Sequence, residues 1–192
     1  MDKHLPNEEL MVGIAKGDEY AFQILVERHQ TSLLNLIYRF LGDRTKSQDL
    51  AQEVFLRVWQ AARSYEPKAK FTTWLYRIAA NICLNELKAS RRKKWLRFFH
   101  VDRGEQAGGE DDFSNGSPSP EDLLLARERS RQITSALQSL PENQRMALIL
   151  KRYDDLSYGE IAHILNCSVS AVESLLVRAK KNLQEKLKFL KS

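Results

Sequence analysis

Between Ser157 and Leu183 the chain carries its own punctuation, and this stretch restricts the possible folds more than any other. Ser157 and Glu160 form the S-x-x-E pattern of a capping box, in which each side chain satisfies an orphan N–H at a helix start. The helix that begins there is short and runs through Ile161, Ala162 and Leu165. Asn166 follows where a tight turn needs a positive φ, which asparagine accepts better than most residues. Ser168 is placed to cap a second helix. Two helices joined by so tight a turn form a helix–turn–helix of about twenty residues, with the second helix projecting outward.

Along that second helix Val169, Val172, Leu176, Ala179 and Leu183 share one face. The opposite face carries Ser170, Ser174, Val177, Arg178 and Lys181. Small hydroxyls beside two cations suit a helix lying in a DNA major groove. There the cations hold phosphates and the short side chains allow close approach to base edges. The alternative is a solvated face of a helix bundle. Glu173 lies beside this face, where phosphate repels a carboxylate unless it accepts from a cytosine amino group or orients an arginine. Both roles stay open.

Strand patterning is almost absent elsewhere, and apolar residues recur three and four apart, so the chain reads as all-α. A helix from about Asn7 to Lys16 stops at Gly17-Asp18. A long amphipathic helix follows and ends at Gly42. Ser47 reads as the N-cap of the next helix, with Asp49 in its first turn complementing the helix dipole. Beyond a loop containing Pro67 another helix begins at Phe71. Residues 98–120 are rich in glycine, proline and acidic residues, with too little apolar surface to offset the entropy of ordering them. Helical patterning resumes and continues to Pro141. The expectation is two small helical domains, 1–96 and 122–192, joined by a flexible acidic linker, 97–121.

Charge follows the same division. The net charge of +5 separates into +6 over residues 1–97, −4 over 98–132 and +3 over 133–192. Two basic blocks fit a nucleic-acid partner. Cys83 and Cys167 sit within apolar helical patterns and read as reduced core residues. No apolar run approaches the length of a membrane span, and the polar N-terminus has no signal-peptide character, which predicts a soluble cytoplasmic protein. No Walker A, G-x-S-x-G or H-E-x-x-H motif occurs, so neither an enzyme nor a cofactor is expected. His163 and Cys167 are one turn apart and could form half a metal site. No further paired ligand lies nearby, so a buried His and Cys is the preferred reading and no metal is expected.

Residues 71–94, FTTWLYRIAANICLNELKASRRKK, are harder to explain as a buried helix. Phe71, Leu75, Ile78, Ala79 and Ile82 form one face. Arg77, Asn81, Asn85 and Lys88 gather on another, Trp74 points the same way, and the run Arg91, Arg92, Lys93, Lys94 follows. Two amides can bond base edges, a tryptophan can stack on a base, and the cations can hold a backbone. Trp74 as an interdomain core residue and the asparagines as helix-packing amides are the competing readings. In QDLAQEVFLRVW, Asp49, Gln52 and Glu53 cluster, as a docking surface or as a solvated face with an i,i+4 Glu53–Arg57 pair.

These stretches resemble a known family. LPENQRMALILKRYDDLSYGEIAHILNCSVSAVESLLVRAKKNL is similar to region 4 of bacterial sigma factors, and QDLAQEVFLRVWQA with FTTWLYRIAANICLNELK is similar to region 2. The order of the two and the short linker point to the extracytoplasmic-function group. The resemblance implies a dissociable initiation subunit of RNA polymerase without catalytic residues. It implies that Trp74, Arg77, Asn81, Asn85, Lys88, Arg91 and Arg92 face the −10 element, with the loop 64–71 forming a pocket for a flipped base. Ser170, Glu173, Ser174, Arg178 and Lys181 would face the −35 duplex, and Asp49, Gln52 and Glu53 the core polymerase. An anti-sigma factor, whose domain would wedge between the halves, is the further partner implied. Recognition helices of the family commonly carry basic residues just after the shared valine. This chain has AVESLL there, which leaves its −35 sequence open.

Overall fold

The computed structural model describes residues 5–99, 128 and 132–189. The N-terminal half comprises α1 (Asn7–Ala15), α2 (Glu19–Leu41), α3 (Arg44–Ala61), a 3-10 turn (Ala62–Ser64) and α4 (Phe71–Phe99). The C-terminal half comprises α5 (helical over 132–138), α6 (Glu142–Tyr153), α7 (Tyr158–Leu165) and α8 (Val169–Phe189). No strand occurs among the described residues. Helix α4 runs three residues past the boundary expected at 96. The rest of the expected linker, 100–121, lies outside the described residues, as do most of residues 122–131.

Local chemistry accounts for the helix ends. Asp18 Oδ1 accepts from Ala21 N at 3.0 Å to start α2. Gly42, at φ +73°, ends it with its N–H on Tyr38 O. Helix α3 corrects one expectation, because it begins a turn before Ser47. Asp43 is the N-cap and accepts from Lys46 N at 3.0 Å. Ser47 is buried inside the first turn, its hydroxyl donating back to Asp43 O at 2.5 Å. The left-handed Gly42 reverses the chain immediately before Asp43, so the carboxylate reaches the new helix first. Asp49 therefore sits in the second turn, where the dipole acts weakly. In the C-terminal half the capping box of Ser157 and Glu160 is complete, Asn166 has φ 51° and ψ 52°, and Ala171 N donates to Ser168 Oγ at 3.2 Å. Helices α7 and α8 meet at 97°.

The two halves pack directly on one another. Helix α6 lies against α2 and α7 against α4. Leu25, Phe40, Phe71 and Leu75 from one half join Met146, Ile149, Leu150 and Ile161 from the other in one continuous apolar core. Arg145, 4% exposed, crosses this junction. Its guanidinium donates to Phe40 O (2.6 Å), to Gln138 Oε1 and O (both 2.7 Å) and to Leu140 O (3.0 Å). A buried charge is tolerable here because helix-terminal carbonyls surround it. No single helix among the described residues is long and apolar enough to cross a membrane.

Candidate nucleic-acid interface

Helix α4 divides its faces as its spacing predicts. Phe71, Leu75, Ala79 and Ile82 are buried, Ile78 is half-buried, and Arg77, Asn81, Asn85, Lys88, Arg91 and Arg92 are exposed. The asparagines do not pack between helices. Trp74 is half-buried. Its ring lies edge-on to Tyr65 at 4.9 Å and tilted against Phe71 at 5.8 Å, centroid to centroid. Packing of this kind fixes an indole in place instead of leaving it to swing.

Next to Trp74 is a cavity of about 260 Å³ lined by Ser64, Tyr65, Glu66, Lys68, Trp74, Arg77 and, from the other half, His163. The sequence located this loop but did not single out Tyr65. Its hydroxyl is buried with no hydrogen-bond partner among the described residues. Burial raises its pKa, with the charge of Glu8 adding to the effect. An unsatisfied buried hydroxyl costs about 1–3 kcal/mol.

The C-terminal half overlies this corner. Arg77 Nη1 faces His163 Nε2 at 3.5 Å. Lys70 Nζ bonds Glu160 Oε1 at 2.9 Å, and this bond with those from Ser157 brings the Glu160 pKa down to about 2. Farther along α4, Arg91 pairs with Glu142 at 3.0 Å. His163 is exposed and Cys167 half-buried, so the pair expected to be buried is only partly so. Among the described residues no cluster of three metal-ligating side chains occurs. Cys83 is fully buried, which pushes its thiol up to about 12.

On α8 the expected polar face is intact. Ser170, Glu173, Ser174, Arg178 and Lys181 are all exposed, as is Val177. The apolar face needs one correction: Val172 and Ala179 are buried and Leu176 and Leu183 half-buried, but Val169 is 46% exposed. It is the first residue of α8 and lies ahead of the point where the helix meets its neighbours. On α3, Asp49 and Gln52 are exposed, and Glu53 pairs with Arg57 at 2.5 Å, as the plain ion-pair reading required. Leu56, 54% exposed, falls on the same i, i+3, i+4, i+7 stripe, and the sequence reading overlooked it.

Residues 25–93 match the sigma-70 region 2 family, and residues 130–183 match sigma-70 region 4. The ECF RNA polymerase sigma-E factor of Escherichia coli (strain K12) is 35% identical over 192 residues, covering 97% of each chain. The chain belongs to the extracytoplasmic-function sigma factors. The RNA polymerase sigma-H factor of Pseudomonas aeruginosa is 34% identical, covering 94% of this sigma factor and 93% of that one. Among solved structures, CnrH in complex with the cytosolic domain of CnrY superposes with a TM-score of 0.67 at 25% identity, covering 95% and 97% of the two chains. The sigma factor RpoE bound to the anti-sigma factor NepR, from Bartonella quintana, shares the fold with a TM-score of 0.63 at 24% identity, over 87% and 96%. As a sigma factor the chain binds core RNA polymerase and directs promoter recognition, DNA melting and transcription initiation. The region 2 match takes in most of α2, all of α3 and α4 as far as residue 93, and the region 4 match takes in α5 to α7 and α8 as far as residue 183.

Proposed function

We propose that α4 is the −10 reader and that its roles divide along its length. Trp74 and Tyr65 wall a cavity for an unpaired base. Asn81 and Asn85, one turn apart and both exposed, bond the edges of bases at the junction of paired and opened DNA. Arg77, Lys88, Arg91 and Arg92 hold the backbone. The observation that carries this reading is the placement of two solvent-facing amides about two and three turns beyond Trp74, the aromatic wall of the cavity, on a single helix. Helix α8 is the −35 reader, with Ser170 and Ser174 near base edges, Arg178 and Lys181 on phosphates, and Glu173 choosing among bases. Asp49, Gln52 and Glu53, extended by Leu56, dock on core polymerase.

In this reading the chain is an initiation factor that performs no chemistry of its own and works in the cytoplasm. It is held in reserve by an anti-sigma factor, as CnrH is seen with CnrY and RpoE with NepR. With His163 over the cavity and Glu160 on Lys70, regions 2 and 4 must part before α4 can take up a base. A domain inserted between the halves would hold them in some other arrangement.

The test is transcription by purified core polymerase on a pool of randomised promoter-like templates, with and without the protein. Start-site-specific transcripts that depend on the protein are expected, and the enriched templates report both promoter elements. The double variant Asn81→Ala/Asn85→Ala should bind core normally and fail to open the selected promoter. Normal opening by that variant would remove the −10 assignment.

A further inference from the structure

Five exposed residues run in a single file along α4: Asn81, Asn85, Lys88, Arg92 and Trp95. Their spacings of four, three, four and three keep them within about 40° of one line on a helix that turns 100° per residue. The last of them is a tryptophan 63% exposed to solvent. It lies beyond residue 93, where the match to region 2 ends. A large indole displayed at the end of a polar, cationic stripe is not serving the core.

We propose that Trp95 is an additional promoter contact, set against the sugar–phosphate backbone of the duplex on the −35 side of the bases read by Asn81 and Asn85. The inference rests on the reading of α4 as the −10 element's partner and extends it. With 1.5 Å of rise per residue, Trp95 lies about 15 Å beyond Asn85, or roughly four base-pair steps of 3.4 Å. The aromatic cavity, which suits an unpaired base, is at the opposite end of the helix. The DNA reaching Trp95 is therefore still paired and carries phosphates on both strands. Lys88 and Arg92 supply the matching charge along the way. The indole has one donor, Nε1–H, and no acceptor, so it donates to a phosphate oxygen while its ring lies on a deoxyribose. Such a contact positions the helix and does not read sequence.

The test uses holoenzyme and the promoter recovered from the randomised pool, built as two fork-junction DNAs. One retains the duplex upstream of the −10 element and the other ends at its upstream edge. Trp95→Ala should weaken binding to the long template by about tenfold, the scale of one hydrogen bond to a charged group, and leave the short one unchanged. Trp95→Phe, which keeps the ring and loses the N–H, should fall between. Because Trp95 is uncharged, the salt dependence should keep its slope, whereas Lys88→Ala or Arg92→Ala should each lower it by about 0.9. The control Asn81→Ala/Asn85→Ala should weaken both templates, and its failure to do so sinks the underlying −10 reading. If that control behaves and Trp95→Ala matches the wild type on the long template, the inference alone is overturned. Equal loss on both templates, or weaker binding to core polymerase without DNA, overturns it too and makes Trp95 a protein contact.

Discussion

Tyr76 donates its hydroxyl hydrogen to Asp154 Oδ1 at 2.9 Å, tying α4 of region 2 to the residue that ends α6 of region 4. Beside this bond the Arg39 guanidinium lies 4.1 Å from the centre of the Tyr153 ring, joining α2 to the same helix end. Burial pushes the Tyr76 hydroxyl up to about 12 and raises the Asp154 carboxyl above the usual carboxylate range. The second carboxylate oxygen is buried with no partner among the described residues. The junction thus contains polar groups that are satisfied only in part when closed and fully by water when apart. That oxygen is the weak point of a junction otherwise closed by apolar packing.

Removing the donor should open it. Tyr76→Phe leaves a buried carboxylate with neither oxygen paired, a cost of about 1–3 kcal/mol that parting of the halves relieves. Asp154→Asn keeps an acceptor for Tyr76 and loses the charge. A carboxyl raised by closure favours the closed form at low pH and works against it as pH rises through that raised value. The neutral amide should therefore close the chain more firmly at pH 7. Energy transfer between dyes on regions 2 and 4 reads both effects, and equal efficiencies in Tyr76→Phe and wild type would remove this role for the pair.

Arg145 should matter to stability as well as to closure. Arg145→Met strips donors from Phe40 O, Gln138 O and Leu140 O in a buried setting. The expected loss is about 3 kcal/mol or more, seen as a lower urea midpoint. A midpoint equal to that of the wild type would mean that water replaces the guanidinium.

Gly42 meets two demands at once. Its φ of +73° disfavours any Cβ, and a Cβ built there would stand 3.0 Å from Gln138 Nε2 and 3.3 Å from Thr134 Cγ2. Gly42→Ala should cost about 1–2 kcal/mol from the left-handed backbone alone and should loosen the contact with α5. Gly42→Asn should recover part of the backbone cost and none of the contact. Thermal unfolding and the same energy-transfer pair separate the two losses.

Acid should weaken the N-terminal half through His29. This side chain is 7% exposed, packs 5.2 Å from Phe71 and bonds Asn7 Oδ1 at 3.2 Å. Burial, followed by the charge of Arg28, lowers its pKa from 6.5 to about 4. The unfolded chain therefore binds the extra proton between those values, and stability present above pH 6.5 is lost as pH falls towards 4. At about 1.4 kcal/mol per unit, the loss is at most about 3 kcal/mol. His29→Gln should flatten the dependence of the urea midpoint on pH in that window; an unchanged slope would point to other groups.

What could be read from the sequence was local. The capping box and the cap at Ser168 are settled by side chains bonding backbone three residues away, and the left-handed turn falls on an asparagine, which tolerates positive φ, so composition at fixed offsets reveals them. Ser47 misled because Asp43 and Ser47 are both good caps in tandem, and only the left-handed turn at Gly42 decides between them. The polar faces of α4 and α8 were legible because exposure follows helical period. The junction between the halves was not. Tyr76 and Asp154 are 78 residues apart and Arg145 and Phe40 are 105 apart, and no periodic pattern links such pairs. Arg145 sits in a polar run, PENQR, where nothing marks it as buried.

The position of α7 gives the molecule an asymmetry in time. Its His163 stands over the cavity beside Trp74, while α8, which follows it directly, keeps Ser170, Ser174, Arg178 and Lys181 turned to solvent. On the roles proposed for α8 and α4, the chain as folded leaves its duplex-reading face free and its base-holding cavity covered. Duplex contact would then precede strand separation, with the parting of regions 2 and 4 as the event between them.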